Sequence, residues 1–217
     1  MNLDLIIARQ LSRKLRNGTM LLQDINMSVE KGEILAVEGE NGAGKTVLLK
    51  ALLGLTPSSG DLIVDDRRFK LGDAYPIKAG ILIENPSLIN EFTAIRNLRL
   101  LATLLPQVTD DEVHTVLRSL NLDPTSRTLV KNFSLGMKEK LGIAQALLGH
   151  NPLIVLDEPT NALDDKSKMN LVLLARNYRD LGSTFLIASH DQDFIKQVAT
   201  RRIRMTEGHL NEKSQLV

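Results

Sequence analysis

Short apolar runs, each bounded by glycine, proline or polar residues, predict the strands of this chain. These runs lie at residues 3–8, about 20–29, Glu33–Glu38, Leu62–Val64, Ile81–Ile83, Leu153–Leu156 and Thr184–Ala188. Apolar residues at helical spacing predict helices at Val47–Leu53, about 93–105, about 109–120, about 134–150 and about 164–181. Pro106 separates the second helix from the third, and Thr109 with Glu112 forms a capping box for the third.

The order of these elements predicts the fold class. Strands alternate with helices toward both ends of the chain, whereas the middle of the chain has a helical pattern. This order is typical of an α/β fold whose mostly parallel sheet is covered on both faces. We predict one domain over residues 1–217, with a core at about 1–84 and 150–217. The first strands would add an antiparallel β part, and an inserted helical subdomain would occupy about 85–149.

One glycine-rich stretch carries the strongest chemical signal. Gly39-Glu40-Asn41-Gly42-Ala43-Gly44-Lys45-Thr46 fits the phosphate-loop pattern G-x-x-x-x-G-K-[ST], between a predicted strand and a predicted helix that begins near Val47. The glycines let backbone N–H groups converge on phosphate oxygens, and the helix start adds partial positive charge. Lys45 is expected to reach the β- and γ-phosphates, and Thr46 to bind Mg²⁺. The chain is therefore predicted to bind a nucleoside triphosphate through residues 39–47.

Other polar residues lie where a parallel sheet places ligands. Asp157 and Glu158 follow an apolar strand; the first carboxylate suits a Mg²⁺ shell, and the second suits the activation of a water molecule. His190 follows the next strand at the same edge, although a lone histidine is more often structural. The stretch Ser134-Leu135-Gly136-Met137, taken alone, predicts only a helix cap with a flexible turn.

Composition limits the classes of protein that the chain can represent. Apolar residues make up 43% and charged residues 24%, with a net charge of +1, which is ordinary for a soluble globular protein. Arg67-Arg68 and Arg201-Arg202 are interpreted as solvated faces, so no nucleic-acid partner is expected. The absence of cysteine excludes disulfides and thiolate metal sites. No apolar run approaches the length of a membrane span, and the N-terminus lacks a signal-peptide core, so we expect a cytoplasmic protein.

Taken together, these stretches resemble the nucleotide-binding subunit of ABC transporters, and the resemblance extends from about residue 3 to 210. Gly39–Thr46 is similar to the Walker A loop, and Ser134–Met137 is similar to the signature motif. Asp157 resembles the Walker B aspartate, and Glu158 resembles the catalytic glutamate beside it. Asn161-Ala162-Leu163-Asp164 is similar to the D-loop, and His190 is similar to the switch histidine. The motifs follow the order that the family has.

The resemblance implies a P-loop NTPase fold of the ABC type and an ATPase whose Mg²⁺ is bound by Thr46 and Asp157. In that family two subunits pair head to tail, and each ATP lies between one phosphate loop and the partner's signature helix. Glu158 would be the general base, His190 would contact the γ-phosphate, and Ser134–Met137 would bind the partner's ATP. The implied partners are a second copy, or a related ATP-binding subunit, and an integral-membrane permease. The subunit would lie on the inner face of the cell membrane as a peripheral protein.

The chain also departs from the family at several positions. Its first aromatic residue is Phe69, and Leu15 or Arg16 stands where the family has an aromatic residue that stacks on adenine. The signature has Leu135 and Met137 in place of glycine and glutamine. Glu84 replaces a glutamine that contacts Mg²⁺ and links to the membrane partner. This glutamate resembles the subgroup of bacterial exporters for bacitracin and lantibiotic self-immunity; the alternative is that Glu84 is a tolerated substitution.

We therefore expect an ATP-hydrolysing subunit that powers a separately encoded membrane permease, an exporter of a peptide antibiotic or a similar compound. The alternative is a cytosolic ABC ATPase that works with a soluble scaffold in an assembly pathway. An ABC ATPase that acts on nucleic acid or ribosomes would usually contain two cassettes, a coiled coil or a basic face, and the sequence shows none of these. The transported substrate depends largely on the membrane subunit and is not readable from this sequence.

Overall fold

The computed structural model describes residues 3–211, within which ten strands and six α-helices form the fold. The strands are β1 (Asp4–Lys14), β2 (Met20–Glu30), β3 (Ile34–Glu38), β4 (Ser59–Val64), β5 (Arg67–Phe69), β6 (Ala79–Leu82), β7 (Leu153–Asp157), β8 (Thr184–Ser189), β9 (Arg201–Thr206) and β10 (His209–Asn211). The helices are α1 (Lys45–Leu52), α2 (Ala94–Ala102), α3 (Asp110–Ser119), α4 (Leu135–Leu147), α5 (Asp165–Asp180) and α6 (Gln192–Val198).

Two sheets make up the β structure of the described residues. The larger sheet has six strands in the order β10-β9-β3-β8-β7-β6, and only the pair β10 and β9 is antiparallel. The smaller sheet has four antiparallel strands in the order β2-β1-β4-β5. The mostly parallel core sheet and the N-terminal antiparallel part, both predicted from the sequence, are therefore confirmed.

Alternate residues of the large sheet face two separate cores, as the two-residue period of a strand requires. Ile34 and Ala36 of β3 pack into the core that contains residues of α2 to α6. Leu35 and Val37 of the same strand pack into the second core, with α1 and the antiparallel sheet. Because both faces are covered, β3, β7 and β8 are apolar along most of their length, which is why the sequence reveals them so clearly.

The parallel strands bring four separate parts of the chain to one edge of the sheet. The register pairs Glu38 with Ser189, Asp157 with Ala188, and Leu82 with Leu156. The segments that follow β3, β6, β7 and β8 consequently leave the sheet side by side. These segments contain the phosphate loop, Glu84, Glu158 and His190, so the fold itself assembles the candidate site.

Several local predictions were wrong. Helix α2 ends at Ala102, before Pro106, because the chain continues in a tighter turn in which the Leu105 N–H donates to the Ala102 carbonyl. The elements β5, α6, β9 and β10 were not predicted, since all are short and β5, α6 and β9 contain charged residues. Arg201, expected on a solvated face, is half-buried and paired with Glu33 at 2.7 Å. The boundaries of the helical subdomain at about 85 and 149 stay a prediction.

Candidate active site

The phosphate loop leaves β3 at Glu38 and enters α1 at Lys45. Gly42 and Gly44 have φ angles of 85° and 102°, a left-handed conformation that side chains rarely adopt, so the loop requires glycine at these positions. Gly44 is the N-cap of α1, and no side chain caps the backbone N–H groups of the first turn. Those N–H groups and the helix dipole create a site for an anion.

Lys45 lies at the centre of the candidate site and is only 5% exposed. Its Nζ donates to the carbonyl of Gly39 at 2.7 Å and to that of Glu40 at 3.2 Å. The same Nζ forms an ion pair with Oε1 of Glu158 at 2.9 Å. The phosphate loop therefore holds Lys45 in place, and Lys45 is in direct contact with Glu158, the predicted general base.

Thr46 and Asp157 meet across the gap between α1 and β7. The Thr46 hydroxyl donates to Oδ2 of Asp157 at 2.7 Å, while Oδ1 is buried and accepts no hydrogen bond from residues 3–211. Burial raises the pKa of Asp157, and the hydrogen bond from Thr46 opposes that rise. A buried carboxylate oxygen without a partner, next to a hydroxyl, is the donor set that a hard cation such as Mg²⁺ prefers, so the residues fit the predicted metal.

Both carboxylate oxygens of Glu158 have a charged or polar neighbour. Oε1 contacts Lys45, and Oε2 lies 2.7 Å from Nδ1 of His190 and accepts from the His190 backbone N–H at 3.3 Å. The Glu158 backbone has a φ of 49°, an uncommon conformation for a non-glycine residue. The structure thus joins the two predicted catalytic residues, and it gives His190 a definite orienting contact with the glutamate.

Glu84 directs its side chain away from this cluster. Its Oε1 lies 2.6 Å from Nζ of Lys50 in α1, and its side chain is 60% exposed. A carboxylate at this position adds a negative charge next to Asp157 and Glu158 unless a cation offsets it. A lysine of the same chain already offsets it.

The signature stretch and the D-loop stretch contact each other instead of the phosphate loop. Ser134 caps α4 and accepts from the Met137 N–H at 3.2 Å, and Asp164 caps α5 and accepts from the Ser167 N–H at 2.8 Å. A Cβ on Gly136 would lie 2.6 Å from the carbonyl oxygen of Ala162, so close packing alone requires this glycine. Neither Ser134–Met137 nor Asn161–Asp164 lines the cavities beside the phosphate loop.

Two open cavities flank the phosphate loop. The larger, about 500 Å³, lies on the side of His190 and Arg204. The other, about 440 Å³, is lined by Met20, Leu21, Glu40, Asn41, Gly42, Gly44, Lys45, Thr46, Val47, Glu158, Glu207 and Gly208. Of residues 39–47, which are expected to bind the triphosphate, all except Gly39 and Ala43 line the second cavity, and those two line the first. Its apolar wall includes Met20, whereas Leu15 and Arg16 do not line it.

Sequence reasoning missed Met20 and Lys50. Met20 is the first residue of β2 and has no motif around it, so nothing in the sequence marks it as part of a cavity wall. Lys50 lies one helical turn after Thr46, and the spacing of the two residues could have placed both on one face of the helix. Its partner Glu84 is distant in sequence, so the contact between them could not be foreseen.

Comparison with known proteins agrees with this geometry. The family model described as ABC transporter matches residues 22–161. The uncharacterized ABC transporter ATP-binding protein YybJ of Bacillus subtilis is 31% identical over 95% of this chain and 95% of its own length. The lantibiotic transport ATP-binding protein SrtF of Streptococcus pyogenes is 35% identical over 82% of this chain and 77% of its own length. The bacitracin transport ATP-binding protein BcrA of Enterococcus faecalis is 34% identical over 98% of this chain and 70% of its own length.

Solved structures support the same assignment. The ATP-binding subunit of an ABC transporter superposes with a TM-score of 0.86 at 26% identity, covering 98% of this chain and 90% of that chain. A dimeric bacterial ABC transporter cassette superposes with a TM-score of 0.88 at 22% identity, covering 98% of this chain and 99% of that chain, and shows the shared fold. With the family match, the relatives and the assembled phosphate-loop site in agreement, this chain belongs to the ABC transporter family as an ATP-binding subunit.

Proposed function

We propose that this chain hydrolyses ATP to drive a separate membrane permease that exports a peptide antibiotic or a similar compound. The observation that carries the proposal is the cluster at the sheet edge, in which Lys45, Thr46, Asp157, Glu158 and His190 are linked by contacts of 2.7 to 2.9 Å. Lys45, Thr46 and Glu158 of that cluster line a cavity of about 440 Å³ beside an uncapped helix start, which suits a nucleoside triphosphate.

Each residue of the cluster has a role that its geometry supports. The loop N–H groups and Lys45 bind the phosphates, and in doing so Lys45 exchanges its contact with Glu158 for contacts with phosphate oxygens. Glu158 then has a free carboxylate oxygen with which to accept a proton from the attacking water. His190 orients Glu158 through the other oxygen, 2.7 Å away. Thr46 and Asp157 would bind Mg²⁺, which when bound neutralises charge on the phosphates.

A second copy of the subunit completes the site in this proposal. Ser134 and Gly136 begin α4 in a part of the molecule that does not line either cavity beside the phosphate loop. Leu135 between them is 69% exposed, which leaves this helix start accessible to another molecule. A helix start with a serine suits the binding of a phosphate, so the signature stretch would act on the ATP of the partner.

The membrane partner and the substrate class are inferred from relatives. SrtF is named as a lantibiotic transporter subunit and BcrA as a bacitracin transporter subunit. Along residues 3–211 no helix combines the length and apolar character needed to cross a membrane. By analogy with these relatives, transport by this chain would use a separate permease, with the subunit on the cytoplasmic face of the membrane as a peripheral protein.

Purification of the tagged chain from detergent-solubilised membranes of its native host tests the proposal. We expect an integral-membrane protein of permease size to co-purify, together with ATPase activity that depends on Glu158. A soluble scaffold in its place would overturn the transport role and favour the assembly function. The variant Lys31→Met, altered at an exposed ion pair with Asp65, is a suitable control for nonspecific losses.

A further inference from the structure

Glu84 and Glu158 are held beside each other by the register of the sheet. Leu82 of β6 pairs with Leu156 of β7, and each glutamate lies two residues beyond its strand partner. Neighbouring strands are about 4.8 Å apart, so the backbones of the two glutamates leave the sheet as close neighbours. Both have left-handed φ angles, 61° for Glu84 and 49° for Glu158. The Glu84 carboxylate is thus attached to backbone at the edge of the catalytic cluster.

Lys50 draws that carboxylate toward solvent. The Lys50 Nζ lies 2.6 Å from Oε1 of Glu84, and the two side chains are 31% and 60% exposed. The backbone N–H of Glu84, by contrast, faces the carboxylate of Asp157. The two ends of the residue therefore point to different partners, the main chain to the catalytic cluster and the side chain to α1.

These contacts close a ring. Thr46 and Lys50 are four residues apart in α1 and lie on one face of the helix. Thr46 donates to Asp157, Asp157 neighbours the Glu84 backbone, and the Glu84 side chain returns to Lys50. Within this ring Asp157 keeps one buried oxygen without a hydrogen-bond partner among the described residues, so a second carboxylate that turned inward would lie next to it.

We propose that Lys50 is a positioning residue that holds the Glu84 carboxylate away from Asp157 and so sets how many carboxylates the cation site presents. The inference deepens the proposed function, since the site concerned is the one that would bind Mg²⁺ with ATP. Without Lys50, the Glu84 side chain is free to turn inward and become an additional oxygen ligand. The protein would then bind a divalent cation in the absence of nucleotide.

The competing explanation is that the contact between Lys50 and Glu84 is an ordinary exposed ion pair without a positioning role. Such pairs are common at protein surfaces and contribute little to stability. A solvated pair predicts that removal of Lys50 changes cation affinity only through its general charge. That change would then be the same whether position 84 carries a glutamate or a glutamine. The two explanations thus differ in the coupling between the two positions, which a double-mutant cycle measures.

The test is a Mn²⁺ titration of the nucleotide-free protein, followed by electron paramagnetic resonance, with Mn²⁺ alone as the probe. We expect Lys50→Met to bind Mn²⁺ at least roughly tenfold more tightly than wild type, as an added carboxylate ligand would produce. Glu84→Gln and the double variant Lys50→Met/Glu84→Gln are expected to bind as weakly as wild type. Lys31→Met, which removes a lysine from an ion pair of 2.8 Å at the other end of β3, is the matched control.

Each outcome decides the question. Tight Mn²⁺ binding by Lys50→Met that Glu84→Gln abolishes supports the positioning role. Equal effects of Lys50→Met in the wild-type and Glu84→Gln backgrounds, or an affinity no different from Lys31→Met, would overturn it. If Lys50→Met does not fold, Lys50→Gln replaces it in the same cycle. A parallel ATP titration of wild type tests the proposed function separately, since a chain that fails to bind ATP contradicts that function whatever Mn²⁺ does.

Discussion

Glu158→Gln should make the isolated subunit bind ATP more tightly, even though it removes the proposed general base. In the structure Glu158 competes for Lys45, because the Lys45 Nζ lies 2.9 Å from Oε1 of Glu158. The triphosphate needs the same lysine. An amide at position 158 holds Lys45 less strongly, and it also repels the phosphates less than a carboxylate does.

The size of the effect follows from the burial of the pair. The side chains of Lys45 and Glu158 are 6% and 18% exposed, so solvent screens their interaction only weakly. The pair is an ion pair in which Oε1 of Glu158 accepts no hydrogen bond among the described residues, so its strength is bounded by that of a hydrogen bond to a charged group, about 1.5 to 3 kcal/mol. The amide retains part of that interaction, so we use the lower value, about 1.5 kcal/mol, which corresponds to about a tenfold lower Kd for ATP.

Isothermal titration calorimetry in EDTA measures this affinity without turnover. Glu33→Gln is the matched control, since Glu33 forms a half-buried ion pair with Arg201 at 2.7 Å at the opposite end of β3. We expect Glu158→Gln, and not Glu33→Gln, to tighten ATP binding. An unchanged or weaker affinity in Glu158→Gln would refute the idea that Glu158 and the triphosphate compete for Lys45.

Three further predictions concern the binding of the phosphates, the binding of the nucleobase and the stability of helix α4. Lys45→Ala should lower ATP affinity at least about a hundredfold, as measured by the same titration, because the phosphates lose their buried counter-charge; an unchanged affinity would remove the phosphate loop from the mechanism. The cavity of about 440 Å³ is lined by Met20 and, among the described residues, by no aromatic one, so few contacts distinguish adenine from guanine. In competition assays GTP should therefore displace ATP with a Kd within about tenfold of that of ATP. Met20→Trp should lower the Kd of both nucleotides about fivefold or more, because the indole ring can stack on either nucleobase. A discrimination of about a hundredfold between ATP and GTP would mean that another group reads adenine. Burial raises the pKa of Glu139 in α4 to about 7, so its contribution to stability is complete in acid and is lost as the pH rises through 7. Wild type should lose free energy of unfolding between pH 5 and 8, and Glu139→Gln should lose up to about 3 kcal/mol less in urea titrations. An identical pH dependence in the two proteins would contradict the raised pKa of Glu139.

The sequence predicts the centre of this protein well because buried parallel strands and the phosphate loop leave strong local signals. The apolar runs of β3, β7 and β8 end directly at the phosphate loop, at Asp157 and near His190. Parallel strands must present their carboxyl ends at one edge, so these residues were expected to meet. The contacts of Glu158 with Lys45 and His190 follow from that arrangement.

The parts that could not be predicted depend on partners distant in the chain. The sequence places Arg201 on a solvated face, yet it is half-buried because Glu33 comes from a neighbouring segment and neutralises its charge. Lys50 and Glu84 are likewise 34 residues apart, and only the packing of α1 against β7 and β8 of the folded sheet brings them together. Met20 belongs to the cavity wall through sheet geometry alone.

The central claim, that this chain is an ATPase whose base is Glu158, is tested most directly by phosphate release from the purified subunit with ATP and Mg²⁺. Wild type and Glu158→Gln should be compared in the same preparation scheme, with Glu33→Gln as the matched control. We expect steady phosphate release by wild type and by Glu33→Gln, and none above background by Glu158→Gln despite its bound ATP. Release by Glu158→Gln at the wild-type rate would contradict the account.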